Sequence, residues 1–324
     1  MIGFNLQKTK RHFTEVLAEK FSQREAEQLM RILLEDLFGI DLNQQLMNPD
    51  LRIDEHQHYQ LGEAVKRLLL GEPVQYVTGM TRFNDLLLKV SPSVLIPRPE
   101  TEELVQKICD SFQNSKPSLP CHSAVEPAAM SFQHGHVGKR ESMAAVYKRD
   151  NLPFRIWDIG TGSGCIAIAL AKHFENAEVV AFDVSEAALL IAKDNTESNG
   201  AKVTFVQDDV LHPTSDYFNQ PVDLVVSNPP YVCESERTTM EANVLDWEPE
   251  KALFVPDDDS LRFYRQILAL AKKQLNPGGQ VWFEINERMG EEMLSLCHEI
   301  GFSNAEVLED FAGKPRFVKT WAAE

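Results

Sequence analysis

Residues 155–173 read RIWDIGTGSGCIAIALAKH, and this stretch decides the fold. RIWDI is a short apolar run. Three glycines follow at alternate positions, Gly160, Gly162 and Gly164, and an apolar helix-forming run begins at Cys165. An apolar run this short, closed by glycines, predicts a buried strand, and residues 164–174 predict a helix. The alternation continues downstream. Residues 179–183 (VVAFD) predict a strand, 186–199 a helix closed by Gly200, and 203–206 and 222–227 (VDLVVS) further strands. Residues 261–275 form an amphipathic pattern ending at Pro277-Gly278-Gly279, and a strand is expected at 280–285. Strands alternating with helices predict the α/β class, a doubly wound and mostly parallel sheet. At the tail, 305–308 and 316–321 around Gly313-Lys314-Pro315 predict an added antiparallel edge pair.

Upstream the pattern is helical. Ser22 followed by Glu25 has capping-box spacing. Leu29, Ile32, Leu33, Leu37 and Phe38 then recur at helical intervals up to Gly39, a C-terminal cap. A second helix is expected after Asp54, with Leu61, Ala64, Val65, Leu68 and Leu69 on one stripe and Gly71 at its end. Residues 1–79 therefore predict a small helical bundle. Residues 80–99 form a linker, in which 82–90 (RFNDLLLKV) and 93–96 are expected to pair as a hairpin between prolines. The α/β domain occupies 100–324. It carries an insertion at about 114–150, rich in Ser, Pro, His and Ala and without periodicity, which is expected to lack fixed structure and to be dispensable.

Composition narrows the function. The 324 residues carry 32 Lys+Arg against 49 Asp+Glu, a net charge of −17. Nucleic acid is a polyanion whose binders usually carry a basic field, so stable nucleic-acid binding is not expected. The five cysteines, Cys109, Cys121, Cys165, Cys233 and Cys297, form no C-x-x-C pair. Neither a disulfide framework nor a thiolate zinc site is expected. Cys121, His122, His134 and His136 in the insertion match no zinc-module spacing, so no metal is expected. The first residues lack a signal-peptide core, and the longest clean apolar run, 165–171, is far short of a membrane span of about 20 residues. A cytoplasmic protein with no membrane contact is expected.

The chemistry lies in three places. The loop Gly160-Thr161-Gly162-Ser163-Gly164 follows a strand and opens a helix, so bare backbone and free N–H groups meet a ligand there. A dinucleotide fingerprint has the spacing G-x-G-x-x-G, which this loop lacks. A plain strand–helix turn is the alternative. Asp183 ends the second strand of the unit, where a carboxylate accepts the hydroxyls of a ribose; otherwise it is a solvated or helix-capping residue. Asp209 and Val210, after the third strand, are candidates for contact around a base. The turn Asn228-Pro229-Pro230-Tyr231 is the most informative. Its two prolines fix the backbone, so the Asn228 side-chain amide and the Pro229 carbonyl present two acceptors to one planar NH2 group, against which Tyr231 can lay its ring.

The glycine loop, the acidic residue and Asn-Pro-Pro-Tyr together resemble the class I S-adenosylmethionine-dependent methyltransferases that act on amino groups. Residues 95–101 (LIPRPET) and 71–79 (GEPVQYVTG) resemble segments of the peptide-chain release factor glutamine methyltransferases. So do Glu248-Pro249, Ala252-Leu253, Pro277-Gly278-Gly279 and Asp310-Phe311-Ala312-Gly313. The resemblance covers nearly the whole chain. It departs in the insertion and at Val210, where some members of that family are aromatic. It implies S-adenosyl-L-methionine as cofactor, held by Gly160, Thr161, Gly162, Ser163, Gly164, Asp183, Asp209, Val210 and Asn228. It implies Asn228, Pro229, Pro230 and Tyr231 as the transfer residues, and a monomer whose substrates are class 1 peptide chain release factors, docked through the helical region. A nucleic-acid amino-group methyltransferase shares the tetrapeptide and is the alternative.

Overall fold

The computed structural model describes residues 3–114 and 153–323. The insertion, with Cys121, His122, His134 and His136, lies outside the described residues.

The N-terminal region is helical. It comprises α1 (Leu6–Leu17), α2 (Gln23–Phe38), α3 (Leu42–Met47), α4 (Glu55–Leu69) and α5 (Val74–Thr78), with the short strands β1 (Phe4–Asn5) and β2 (Arg52–Ile53) pairing antiparallel beside them. Leu17, Met30, Leu33, Leu34 and Leu61 are fully buried in its core. Ser22 accepts a hydrogen bond from the Glu25 N–H, and Gly39 ends α2 at φ 66°. Complete reciprocal capping boxes form at Asp41–Gln44 and Asp54–Gln57.

The expected hairpin needs correcting. Its two strands, β3 (Met80–Phe83) and β4 (Leu86–Lys89), turn within the first stretch and extend two residues before it, and residues 93–96 pair with neither. The two-residue turn at Asn84-Asp85 is the reason. Asn84 takes φ 50°, a left-handed conformation that Asn tolerates and that folds the chain back after two residues. Val94 and Ile96 instead pack with Tyr76 and Val90, and the Tyr76 hydroxyl donates to the Val94 carbonyl at 2.7 Å.

Helix α6 (Pro99–Asn114) leads to the sheet. Strands β5 (Arg155–Ile159), β6 (Glu178–Asp183), β7 (Thr204–Gln207), β8 (Val222–Ser227) and β11 (Leu275–Glu284) run parallel. Between β8 and β11 come two short strands, β9 (Val232–Cys233) and β10 (Phe254–Val255), which pair parallel with each other. Strands β12 (Asn304–Glu309) and β13 (Pro315–Trp321) complete the sheet in the order β12-β13-β11-β8-β5-β6-β7. The antiparallel tail pair is present, with β13 seated between β11 and β12. The Pro-Gly-Gly segment does not precede β11 but lies within it, where the pairing register shifts between Leu275 and Gln280.

Strand alternation divides the core. Ile156, Ala181 and Leu224 face α6 and α7 (Cys165–His173), while Trp157, Val180 and Val225 face α10 (Arg262–Gln274) and α11 (Gly290–Ile300). Helices α8 (Glu186–Ser198) and α9 (Ala242–Trp247) complete the set. From β5 the chain builds the sheet first outward through β6 and β7, then in the opposite direction through β8 and β11. The reversal opens a crevice at the carboxyl ends of β5 and β8, where open α/β sheets take their ligands.

Candidate active site

A cavity of about 390 Å³ occupies that crevice. The glycine loop forms one wall. The N–H groups of Gly160 and Thr161 both donate to the Phe182 carbonyl at 2.9 Å, which ties the loop to the end of β6. Gly160 and Gly162 sit at φ 77° and 54° with nothing within 4 Å of where a Cβ would stand, so bare backbone borders open space. Gly164 packs behind the loop, where a Cβ would stand 3.1 Å from the Ala192 Cβ, and is not part of the wall.

Two buried residues that sequence reasoning missed hold this loop. Asp158, at the end of β5, accepts from the Thr161 hydroxyl at 2.6 Å and from the Ala167 N–H at 3.1 Å through one oxygen. Its other oxygen has no partner among the described residues. Burial pushes the Asp158 carboxyl up to about 7, against the lowering effect of those two bonds. Asn195, fully buried on α8, donates to the Ser163 carbonyl at 2.9 Å and to the Lys89 carbonyl at 3.0 Å, and accepts from the Lys89 N–H at 2.6 Å. It joins the β3–β4 hairpin to the glycine loop. An acid inside an apolar strand is a readable signal for Asp158; Asn195 offers none.

Asp183 faces the cavity. One oxygen accepts from the Gly162 N–H and the other from the Ser185 N–H, each at 2.9 Å. Burial raises its carboxyl above the ordinary range, partly offset by these donors. Asp209 and Val210 line the cavity beside Asp208. Burial pushes Asp209 up, but the His212 ring at 3.0 Å and the Leu211 N–H outweigh it and hold the carboxyl below its ordinary value. Asp208 turns its oxygens to the N–H groups of Thr214 and Ser215 and shapes the turn after β7.

The tetrapeptide stands opposite. Ser227, the last residue of β8, donates to the Ile159 carbonyl at 2.6 Å and locks the two strand ends together. Asn228, Pro229 and Pro230 line the cavity; Tyr231 does not. The Asn228 amide nitrogen donates to the Thr101 hydroxyl at 3.3 Å, Thr101 donates to Glu284 at 2.7 Å, and the Tyr231 hydroxyl donates to the second oxygen of Glu284 at 3.2 Å. Burial raises the Glu284 carboxyl to about 6, against the lowering effects of Thr101, Tyr231 and Arg316. Among the described residues, neither Asn228 Oδ1 nor the Pro229 carbonyl is engaged in a hydrogen bond. Both remain acceptors.

Two sequence segments 150 residues apart meet beside this turn. Arg98 pairs with Glu248 at 2.6 Å, and the same carboxylate accepts from the Ile96 N–H at 3.4 Å. The carboxylate of Glu248 is almost completely buried, so it has little water to solvate it and depends on this pairing. Glu248 is extended ahead of Pro249, and Ile96 and Arg98 each precede a proline, which disfavours helical backbone at those positions.

Residues 143–246 match the family described as the methyltransferase small domain, and residues 10–79 that described as the PrmC N-terminal domain. The chain is 37% identical over 307 residues to the release factor glutamine methyltransferase of Bacteroides thetaiotaomicron, covering 95% of this chain and 96% of that one. To its counterpart in Flavobacterium psychrophilum it is 39% identical over 307 residues, covering 95% of each. Among solved structures, a methyltransferase from Pyrococcus furiosus aligns at TM-score 0.47 and 16% identity, covering 81% of this chain and all of that one. Identity at this level, sustained from the helical region through the sheet, places this chain in the release factor glutamine methyltransferase family.

Proposed function

We propose that the chain transfers a methyl group from S-adenosyl-L-methionine to the side-chain amide nitrogen of the glutamine in the Gly-Gly-Gln motif of class 1 peptide chain release factors. One observation carries the reading: Asn228 and Pro229, whose Oδ1 and carbonyl oxygen accept no hydrogen bond among the described residues, line the same cavity as the open glycine loop. The names of the relatives support the release factor as substrate.

The residues fit the cofactor. Gly160 and Gly162 offer bare backbone on the cavity wall. Asp183 is fixed by two backbone donors, and a carboxylate accepts about four hydrogen bonds, so capacity remains for ribose hydroxyls. Ser163 lines the cavity, with its hydroxyl buried beside the Cys165 thiol. The loop and Asp183 would hold the amino-acid and ribose portions, and Asp209 and Val210 the adenine. When bound, S-adenosylmethionine supplies a methyl group on a positively charged sulfur.

The chain's own residues then handle the glutamine. Its side-chain NH2 is planar and its lone pair is delocalised, so orientation is the main requirement. Asn228 Oδ1 and the Pro229 carbonyl accept its two N–H groups and set the plane of the amide. Holding two reacting groups at about 3–3.5 Å removes roughly 7–11 kcal/mol of the barrier. Pro229 and Pro230 keep the acceptors from relaxing, and Tyr231 closes the turn behind them. No side-chain base is required, because the nitrogen releases its proton to water after transfer. The helical region, 1–79, would dock the release factor onto a monomeric, cytoplasmic enzyme.

The test is mass spectrometry of a class 1 release factor after incubation with the chain and S-adenosylmethionine. One added methyl on the Gly-Gly-Gln peptide is expected. An unmodified release factor alongside methylated DNA or ribosomal RNA would replace this reading with that of a nucleic-acid enzyme.

A further inference from the structure

Glu284 is a buried carboxylate that the mechanism above leaves unused. It is the last residue of β11, 1% exposed, and the preceding residue, Phe283, is in register with Ser227 of β8. The sheet therefore places it beside the start of the Asn-Pro-Pro-Tyr turn. One oxygen receives Thr101 and the other receives Tyr231. Arg316 on β13 attracts it and Glu100 on α6 repels it, and the Tyr264 hydroxyl donates to its backbone carbonyl at 2.9 Å.

We infer that Glu284 is a positioning residue for methyl transfer: through Thr101 it fixes which way the Asn228 amide faces, and directly it holds Tyr231 at the other end of the turn. The inference rests on the reading of Asn228 as an acceptor for the substrate amide. A threonine hydroxyl has a single proton, and here it is committed to Glu284 at 2.7 Å. Its oxygen can then only accept. The group of Asn228 that approaches it must be the NH2, which leaves Oδ1 turned away from Thr101. A flipped Asn228 would press its oxygen against the lone pairs of Thr101 and present N–H groups to the N–H groups of the incoming glutamine. Such a flip changes no shape, so packing alone does not prevent it; the direction of the hydrogen-bond chain does. Thr101 and Glu284 are 183 residues apart, and the short segment 95–101 brings Thr101 to the site at the start of α6.

The experiment compares Thr101→Val, Thr101→Ser and Glu284→Gln with Asn228→Ala in single- and multiple-turnover methylation of a release factor. Valine keeps the shape of threonine and loses both bonds; serine keeps the hydroxyl. A fall in kcat of about tenfold or more is expected for Thr101→Val and Glu284→Gln. KM for the release factor should be little changed, and Thr101→Ser should recover most of the rate. A second readout needs no turnover: the side-chain NH2 signals of Asn228 in a nitrogen-15 NMR spectrum of the free protein should move in Thr101→Val and return in Thr101→Ser. Asn228→Ala inactive with Thr101→Val at the wild-type kcat overturns this inference alone. So does a loss in Thr101→Val that serine does not rescue, which would mark packing rather than direction. Asn228→Ala at the wild-type rate overturns the reading of the turn itself.

Discussion

Replacing Gly164 by alanine should destabilise the protein by about 2–4 kcal/mol, and the three loop glycines allow the figure to be divided. Gly164 sits at φ 82°, where a left-handed L-residue costs roughly 1–2 kcal/mol. The reduced freedom of the unfolded chain returns roughly 0.4–1 kcal/mol. Strain alone therefore leaves about 1 kcal/mol. The new methyl would also stand 3.1 Å from the Ala192 Cβ and 3.2 Å from the Ile168 Cδ1, and overpacking of this kind costs roughly 1–3 kcal/mol. Gly160, at φ 77° with open space around it, supplies the control: Gly160→Ala carries the strain without the collision. Urea unfolding followed by the fluorescence of the buried Trp157 and Trp282 measures both variants. The midpoint of Gly164→Ala should fall further at unchanged slope. Adding Ala192→Gly should recover the share of the collision that falls on the Ala192 Cβ, less roughly 1 kcal/mol for a glycine within α8, while the Ile168 contact remains. Equal midpoints for Gly164→Ala and Gly160→Ala would refute the argument that close approach of α8 demands glycine at 164.

Other outcomes follow from the same geometry. Asn195→Ala leaves two carbonyls and one N–H without partners and should cost about 2–4 kcal/mol in urea unfolding; a loss below about 1 kcal/mol would show that the hairpin and loop do not depend on it. Asp183→Ala should weaken binding of the product S-adenosylhomocysteine by roughly 10–100-fold in calorimetry, about 1.5–3 kcal/mol for charged hydrogen bonds, and an unchanged affinity would remove Asp183 from the cofactor site. Asp158 is held protonated in the fold up to about 7, against an ordinary value of 3.8, so its contribution to stability is full below the ordinary value and is lost as pH rises toward 7. Between pH 5 and 7 the wild type should lose about 2 kcal/mol relative to Asp158→Asn, and parallel stability curves for the two would contradict this.

What the sequence made legible was local. The glycine loop, the strand ends and the Asn-Pro-Pro-Tyr turn are each readable within a few residues, because backbone conformation there is set by the Gly and Pro present. The hairpin differs from the expectation because Asn84-Asp85, which lies inside an otherwise strand-like run, is itself the turn. Pro-Gly-Gly at 277–279 has the composition of a break between two elements, yet β11 runs through it with a shifted register. The residues that hold the candidate site were missed for a different reason. Asn195 serves Ser163 and Lys89, 32 and 106 residues away, and Thr101 serves Glu284. A polar residue in an apolar run signals a buried partner, as at Asp158 in RIWDI and Glu284 in QVWFEI, but its spacing says nothing about which partner. Topology decides that.

The long sequence separations also set a timetable. Arg98 waits for Glu248, 150 residues downstream, and Thr101 waits for Glu284, 183 residues downstream. At a synthesis rate of about 5–20 residues per second, roughly 10–40 s pass between the emergence of Thr101 and that of the carboxylate that orients it. Throughout that interval the helical region, whose own core draws only on the first 79 residues, has its packing partners in hand, whereas the crevice lacks its central partner. The nascent chain thus acquires its helical surface well before its transfer site, and any ribosome that stalls before β11 carries a protein able to fold at its front but unable to set the Asn228 amide.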